Sequence, residues 1–321
     1  MQRNRIKIRA FAAVVALVVL SGCAATPMTS QLTASPPQGL PASAELADTP
    51  FFSQTRFFCG PAALATVLNT TGLKTAPDTL AQSIYTPGRE GTLQTEIITG
   101  TRRQGRLALP VHTLRDVFVN VTQGRPVLIL QNLSLDIAPQ WHYAVVIGYD
   151  LADETVTLRS GTTFRQVMPM KTFEHTWRRS GYWGIVVMGP DGPVPDNTSL
   201  SQWLQEAYGL ERAGHAPDAL TAFALAARHW PAASAPNISA ANILIGMNRL
   251  QEAKTLLKIA VQRDPHNPVA LNNLAHVLMR RGELDEAERN ALKAVEIGGD
   301  SQGTSKETLL EIQAQKNNTQ R

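Results

Sequence analysis

The thiol of Cys59 stands in a context that would activate a nucleophile. The run Phe57-Phe58-Cys59-Gly60-Pro61 is typical of a loop that enters a helix, because proline is favoured in the first helical turn. The amides and the dipole at a helix start lower the pKa of a thiol, and the thiolate is the attacking species. Gly60 would also let a substrate backbone approach closely. We therefore expect Cys59 to open a helix and to act as a nucleophile.

His142 is the candidate general base among the seven histidines of the chain. It lies near the start of Trp141–Asp150, the strongest strand pattern present, whereas the other six lie in loops or on helical surfaces without apolar context. A histidine at the start of a buried strand is held rigidly, as a base should be. Alone, such a residue is more often structural. A Cys-Gly-Pro helix start in the same region favours the catalytic interpretation.

These two motifs together resemble the C39 family of papain-like cysteine peptidases. The likeness rests on Gln54, on Cys59-Gly60-Pro61-Ala62-Ala63-Leu64-Ala65 and, 83 residues after the cysteine, on His142-Tyr143-Ala144-Val145-Val146-Ile147-Gly148-Tyr149-Asp150. It covers roughly residues 49–189. The resemblance implies that Cys59 attacks a peptide carbonyl, that His142 shuttles the proton, and that Gln54 with the Cys59 backbone N–H binds the oxyanion. Gln54 could instead be an ordinary polar loop residue.

The acid that orients the histidine in this family is missing from its expected strand. Ser160, in Thr157-Leu158-Arg159-Ser160-Gly161, occupies that place. Asp136 is a loop alternative, whereas Asp150 is too near His142 on one strand to curl back to it. A serine hydroxyl accepts the imidazole N–H but does not stabilise an imidazolium as a carboxylate does. We expect a weaker, dyad-like enzyme or a domain that binds without cutting. The sequence has no P-loop motif, so leader processing coupled to export is not implied.

The N-terminus predicts export and lipidation. A basic stretch and the apolar run Ala10–Leu20 form a signal peptide over residues 1–22, ending in Leu-Ser-Gly-Cys like a bacterial lipobox. Lipid on Cys23 would anchor the chain in a membrane and leave Cys59 without a disulfide partner. Ala24, in place of Asp, favours the outer membrane, facing the periplasm. The alternative is an uncleaved signal anchor with an incidental cysteine. Residues 23–48, rich in Pro, Ser, Ala and Thr, predict a lipidated flexible tether.

Two regions of different texture follow. Residues 49–189 show helical patterns first and extended runs afterwards, which predicts an α+β domain, here an α+β papain-like cysteine peptidase domain on the C39 resemblance. Residues 190–199 predict a linker rich in proline and glycine.

From residue 200 the chain repeats every 34 residues, as Ala219, Ala253 and Ala287 show. This pattern resembles the tetratricopeptide repeat and predicts an all-α domain of three units at about 200–231, 234–265 and 268–299. Asn237 replaces Trp203 at the start of the second unit. Residues 300–321 predict a C-terminal helix and tail. We expect the repeat face to hold a peptide or a protein partner, and the repeats to carry no chemistry.

The composition excludes few classes of protein, but it limits the kinds of partner that the chain is expected to bind. The chain has 43% hydrophobic and 17% charged residues and a net charge of +4, of which the removable signal contributes four basic residues. A nearly neutral mature chain gives no support for nucleic-acid binding. No Cys/His cluster has metal-ligand spacing, so we expect neither metal nor cofactor.

Three functions fit the sequence. The first is a lipid-anchored cysteine peptidase that cuts a periplasmic protein or peptide, with repeats that dock substrate or partner. The second is a silent peptide-binding scaffold, favoured by Ser160. The third is another Cys/His acyl transfer, such as amidase or transglutaminase chemistry, which fits the motifs less well.

Overall fold

The computed structural model describes residues 26–53, 58–86, 88 and 91–319. Two compact units divide the chain. The first contains the described residues up to Ile97 together with Pro110–Val187, and the second contains Ile98–Leu109 together with the described residues from Met188 onward. Within the described residues, no helix has the length and apolar content needed to cross a membrane.

The first unit combines helices with one antiparallel sheet. Its helices are α1 (Pro27–Ala34), α2 (Cys59–Asn69), α3 (Pro77–Ile84), the start of α4 (Gln94–Arg103), α5 (Leu114–Thr122) and α6 (Met170–Arg178). The strands are β1 (Ser43–Glu45), β2 (Leu107–Val111), β3 (Val127–Asn132), β4 (Trp141–Asp150), β5 (Thr155–Ser160), β6 (Thr163–Pro169) and β7 (Gly184–Met188). The unit boundary falls within α4, β2 and β7. The predicted α+β class is confirmed.

The seven strands follow the order β2-β7-β3-β4-β5-β6, with β1 paired to the end of β4. β3 runs antiparallel to β4 from Val127 opposite Val146 to Asn132 opposite Trp141. Beyond Val146, β4 pairs with β1, and Gly148 allows this approach because a Cβ there would lie 2.9 Å from the Ala44 carbonyl oxygen. The long β4 therefore joins the N-terminal segment to the centre of the sheet.

The sheet is covered by apolar side chains on both faces, as its continuous hydrophobic strands require. Alternate residues of β4 point to opposite faces, so Ala144 and Val146 enter the core formed with α5 and α6. The members of that core include Val117, Phe118, Ile129, Phe173 and Trp177. Helix α2, buried from Gly60 to Leu68, packs against β4 as well. The helix that begins at Cys59 is thus fixed along its length by the sheet.

The flexible tether predicted over residues 23–48 is wrong for its described part. Thr29 is fully buried, and its backbone N–H and hydroxyl donate to the buried Glu174 carboxylate at 2.7 and 2.6 Å. Leu32 enters the core of the unit, and Ser43–Glu45 pair with β4. The low apolar content of this segment concealed its order, because a carboxylate 145 residues away and the edge of β4 supply its partners.

The second unit contains three helix pairs and a last helix. These are α7 (Leu200–Arg212) with α8 (Ala216–His229), α9 (Ala235–Gly246) with α10 (Leu250–Arg263), α11 (Pro268–Arg280) with α12 (Leu284–Ile297), and α13 (Gln302–Thr319). The small residues predicted at helix contacts are fully buried, among them Ala219, Ala253 and Ala287. Trp203 is also buried and donates to the Ala222 carbonyl at 2.8 Å. At the equivalent place Asn237 is buried, with an amide nitrogen that has no hydrogen-bond partner among the described residues.

A segment that precedes the repeats in sequence packs inside this unit. Glu206 of α7 is buried, and it binds the Arg102 guanidinium through two nitrogens and accepts the Ala108 N–H at 3.0 Å. Leu107 and Leu109 share a core with Trp203. The segment Ile98–Leu109 therefore packs against the first helix pair, and the 34-residue pattern does not reveal this contact.

Candidate active site

Cys59 is the first residue of α2, as its sequence context predicts. The N-cap residue, Phe58, makes no side-chain capping hydrogen bond. The pairing of β5 with β4 begins at Val145. Tyr143 precedes this pairing in β4, and its backbone N–H faces the Cys59 sulfur. The sulfur thus meets amides from its own helix start and from the residue that follows His142.

The thiol is half-buried, and this burial decides its protonation. Loss of solvent raises the pKa of Cys59 above its ordinary value, while the backbone N–H groups of Tyr143, Gly60 and Cys59 itself oppose the rise. The net direction is upward, so the helix start does not produce a free thiolate at neutral pH. Desolvation outweighs the amides, so the Cys59 thiol depends on a base to lose its proton.

The space beside Gly60 is occupied by another side chain of the protein. A Cβ on Gly60 would lie 2.6 Å from the Thr92 side chain, so the close approach that glycine permits is filled by Thr92 rather than left open for a substrate. Tyr143 Oη donates to the Thr92 carbonyl at 3.1 Å and holds this segment in place. The Thr92 hydroxyl is buried without a hydrogen-bond partner among the described residues. Thr92 is a neighbour of the site that the motifs did not reveal.

His142 and Ser160 are in direct contact. His142 Nε2 lies 2.9 Å from Ser160 Oγ, and Ser160 is 8% exposed. With Nε2 occupied, Nδ1 is the ring nitrogen left to act on a thiol. Burial lowers the pKa of the His142 imidazole. Together with the raised pKa of Cys59, this direction favours a neutral thiol and a neutral imidazole near pH 7.

The aspartates considered as alternatives to Ser160 occupy other places. Asp150 ends β4, eight residues from His142 along an extended strand, and its carboxylate accepts the N–H groups of Ala152 and Asp153 at 2.9 and 3.0 Å. At about 3.3 Å per residue, eight residues of strand separate the two by about 26 Å. Asp136 lies in the loop between β3 and β4. Asp150 therefore serves a turn and not the histidine.

Arg159, next to Ser160, fixes the chain that leads toward Cys59. Its buried guanidinium donates to the carbonyls of Ala47, Thr49 and Phe164 at 2.6, 3.1 and 2.6 Å, and it lies over the Phe164 ring. A charged residue in an otherwise uncharged strand was the sequence signal for this role.

Gln54, the predicted oxyanion residue, and Cys23, the predicted lipidation site, lie outside the described residues. Among the residues that the structure does describe, no group of three or more His, Cys, Asp or Glu is placed to hold a metal ion.

Two family models match this chain. Residues 46–185 match the Peptidase_C39 like family, and residues 244–300 match the tetratricopeptide repeat. The C39 resemblance and the repeat prediction are thereby confirmed, with the α+β domain preceding the helical repeats.

Individual proteins resemble parts of the chain. Anaphase-promoting complex subunit CDC16 of Saccharomyces cerevisiae is 27% identical over 116 residues, which is 36% of this chain and only 14% of that protein. A putative C39-like peptidase from Bacillus anthracis is 18% identical, with 45% of this chain and 96% of that chain covered and a TM-score of 0.39. The Yersinia enterocolitica chaperone SycD, in complex with a peptide of the translocator YopD, is 20% identical, with 38% and 99% covered and a TM-score of 0.35.

Proposed function

We propose that this chain, which carries a domain of the Peptidase_C39 like family followed by tetratricopeptide repeats, is a cysteine peptidase that works with a neutral Cys59–His142 pair. One observation carries the proposal. The Cys59 sulfur at the start of α2 lies against the backbone N–H of Tyr143. The preceding residue, His142, has its Nε2 atom in contact with Ser160 Oγ. This arrangement leaves His142 Nδ1 to accept the thiol proton.

The reaction needs a concerted proton transfer because neither group is charged at rest. His142 Nδ1 takes the thiol proton as the sulfur bonds to the substrate carbonyl carbon, and the carbonyl electrons move to oxygen. The oxyanion accepts hydrogen bonds from the Cys59 N–H and from Gln54. The C–N bond then breaks, the imidazolium gives its proton to the leaving amine, and water hydrolyses the thioester. Throughout, Nε2–H donates to Ser160 Oγ, which orients the ring without supplying a charge.

A silent scaffold is the second candidate, and the same contact favours it. A hydroxyl in place of a carboxylate does not stabilise an imidazolium, and burial disfavours the charged forms of both Cys59 and His142. A domain with these properties could bind an extended peptide and leave it uncut.

The repeats would dock a protein or peptide partner of the enzyme. A depression of about 520 Å³ lies on α7, and its lining residues are Ser201, Leu204, Gln205, Tyr208, Glu211 and Arg212. Neighbouring opposite charges, on Glu211 and Arg212, and an exposed tyrosine suit a polar peptide with an aromatic or aliphatic anchor.

Lipid on Cys23 would hold the first unit at the outer membrane, facing the periplasm. Helix α1 starts at Pro27 and is bonded to Glu174, so three peptide units separate Cys23 from Thr26, where the described chain begins. This spans about 10 Å at most. We therefore propose a short lipid anchor instead of a long flexible tether. A Cys23→Ala protein that still partitioned into outer membranes like the wild type would contradict the anchor.

Peptidase activity is tested by comparing new protein N-termini formed in a periplasmic extract by the wild type, Cys59→Ala and His142→Ala. We expect cleavages that only the wild type produces. Thr70→Ala, at the other end of α2, is the matched control and should cut normally. If the wild type forms no new N-termini and retains the same bound peptides as Cys59→Ala, the scaffold is the correct function.

A further inference from the structure

The loop between β3 and β4 displays apolar side chains to solvent beside the candidate active site. Leu133, Leu135, Ile137 and Trp141 are 43%, 61%, 91% and 52% exposed, and we refer to these four residues as the apolar ridge. Single exposed apolar residues are ordinary, but four within nine residues of one loop and the adjoining strand are a concentration typical of a binding site.

The ridge is displayed by an ordered loop. Asn132, 1% exposed, accepts the N–H groups of Ser134 and Gln140 at 3.1 and 2.9 Å, and Leu133 N–H donates to the Gln140 carbonyl at 2.9 Å. Arg179 donates to the Ser134 carbonyl at 2.9 Å. These bonds close the loop across its base and hold its apolar side chains outward. Binding there would therefore cost little ordering entropy.

The ridge is continuous with the groups that would do the chemistry. Trp141 immediately precedes His142, and it shares a face of β4 with Tyr143 because strand residues alternate. The Tyr143 N–H meets the Cys59 sulfur, so an exposed indole lies one strand repeat, about 7 Å, from the residue beside the thiol.

Proton transfer decides which part of a substrate would meet the ridge. The imidazolium of His142 must give its proton to the leaving amine, so the peptide segment after the scissile bond passes on the histidine side. We propose that the apolar ridge binds apolar side chains on the carboxyl-terminal side of the scissile bond, and so selects the substrate. This rests on the proposed peptidase function.

A peptide fits the ridge better than a membrane does. Asp136 is the only charged residue from Leu133 to Trp141, and the neighbouring Arg179 donates to a backbone carbonyl of the loop. The side chains of the loop itself therefore offer no cation to an anionic lipid surface. An extended peptide with apolar residues requires no such charge.

The test uses the full chain with Leu135→Ser/Ile137→Ser, two positions exposed enough to change without loss of folding. Leu310→Ser is the matched control, since Leu310 of α13 is 65% exposed. The substrates are internally quenched peptides with Leu and Ile, or Ser and Asp, after the scissile bond, and a peptidyl coumarin amide with no residues there.

We expect the ridge variant to lower kcat/KM about tenfold for the Leu/Ile peptides and to leave the coumarin amide unchanged. The control should match the wild type throughout. An equal loss on all substrates, or no loss on any, would overturn the proposal.

Binding in a Cys59→Ala background separates this proposal from the peptidase itself. Anisotropy of the labelled Leu/Ile peptide should show about tenfold weaker binding for the ridge variant. If the wild type cuts nothing while this difference persists, the peptidase proposal fails and the ridge still binds apolar peptide. If peptide binding is unchanged and the ridge variant instead loses binding to phosphatidylethanolamine–phosphatidylglycerol vesicles, the occupant is a lipid surface and the proposal is wrong.

Discussion

Ser160→Asp changes the side chain that contacts Nε2 of His142. The Ser160 hydroxyl lies 2.9 Å from Nε2 in a nearly dry position, and aspartate would put a carboxylate oxygen against the same N–H. A carboxylate within about 4–6 Å favours the imidazolium, and partial desolvation of the new charge offsets part of this gain. We expect the pKa of His142 to rise by about 1–2 units, worth about 1.4–2.7 kcal/mol.

This stabilisation applies to the imidazolium that forms during the reaction. Converted to a rate, it should raise kcat by about ten- to hundredfold. Measurement of kcat and of the His142 titration by NMR checks both effects. Ser160→Asn is the control for size without charge, and it should leave the pKa near that of the wild type. If Ser160→Asp stays folded but loses activity while its His142 pKa does not rise, another group orients the ring and the reasoning is wrong.

Three further predictions concern protonation and packing. Because burial raises the pKa of the Cys59 thiol, its alkylation by iodoacetamide should be slow at pH 7 and accelerate above pH 9.0, the ordinary pKa of a cysteine thiol. An alkylation rate that reaches its plateau below pH 8 would contradict this. Gly60→Ala should lower the free energy of unfolding, measured by chemical denaturation, by about 1–3 kcal/mol because the new methyl group clashes with Thr92. Thr92→Gly in the same chain should restore part of this loss, and a failure to restore it would place the strain elsewhere. Glu206→Gln leaves the half-buried Arg102 charge poorly paired and should destabilise the second unit by about 3 kcal/mol in urea unfolding. Glu252→Gln, in an exposed pair, should not shift the midpoint of unfolding, and equal effects of the two changes would argue against a role for burial.

The main elements of the candidate site follow from local sequence patterns. Cys59-Gly60-Pro61 predicts a helix start, and the run from Trp141 to Asp150 predicts a strand with His142 near its beginning. Both depend on backbone preferences and on periodic burial that a few neighbouring residues specify. The repeat period likewise predicts three helix pairs, because each pair must bury the same small residues against the next.

Other features depend on partners that are distant in sequence. The segment around Thr29 has too little apolar surface to fold alone, and it is ordered because Glu174 caps it. Arg102 and Ala108 belong with the repeats through the single carboxylate of Glu206. Such bonds leave no periodic trace, since one buried charge can satisfy groups from any part of the chain.

The sequence by itself determined which residues could do chemistry and on which elements they lie. Only the tertiary structure decided their electrostatic state. The amides at the start of α2 favour a thiolate, but burial of Cys59 and His142 between packed elements raises one pKa and lowers the other. Desolvation is a property of the assembled core, to which every neighbouring side chain contributes, and no local motif encodes it.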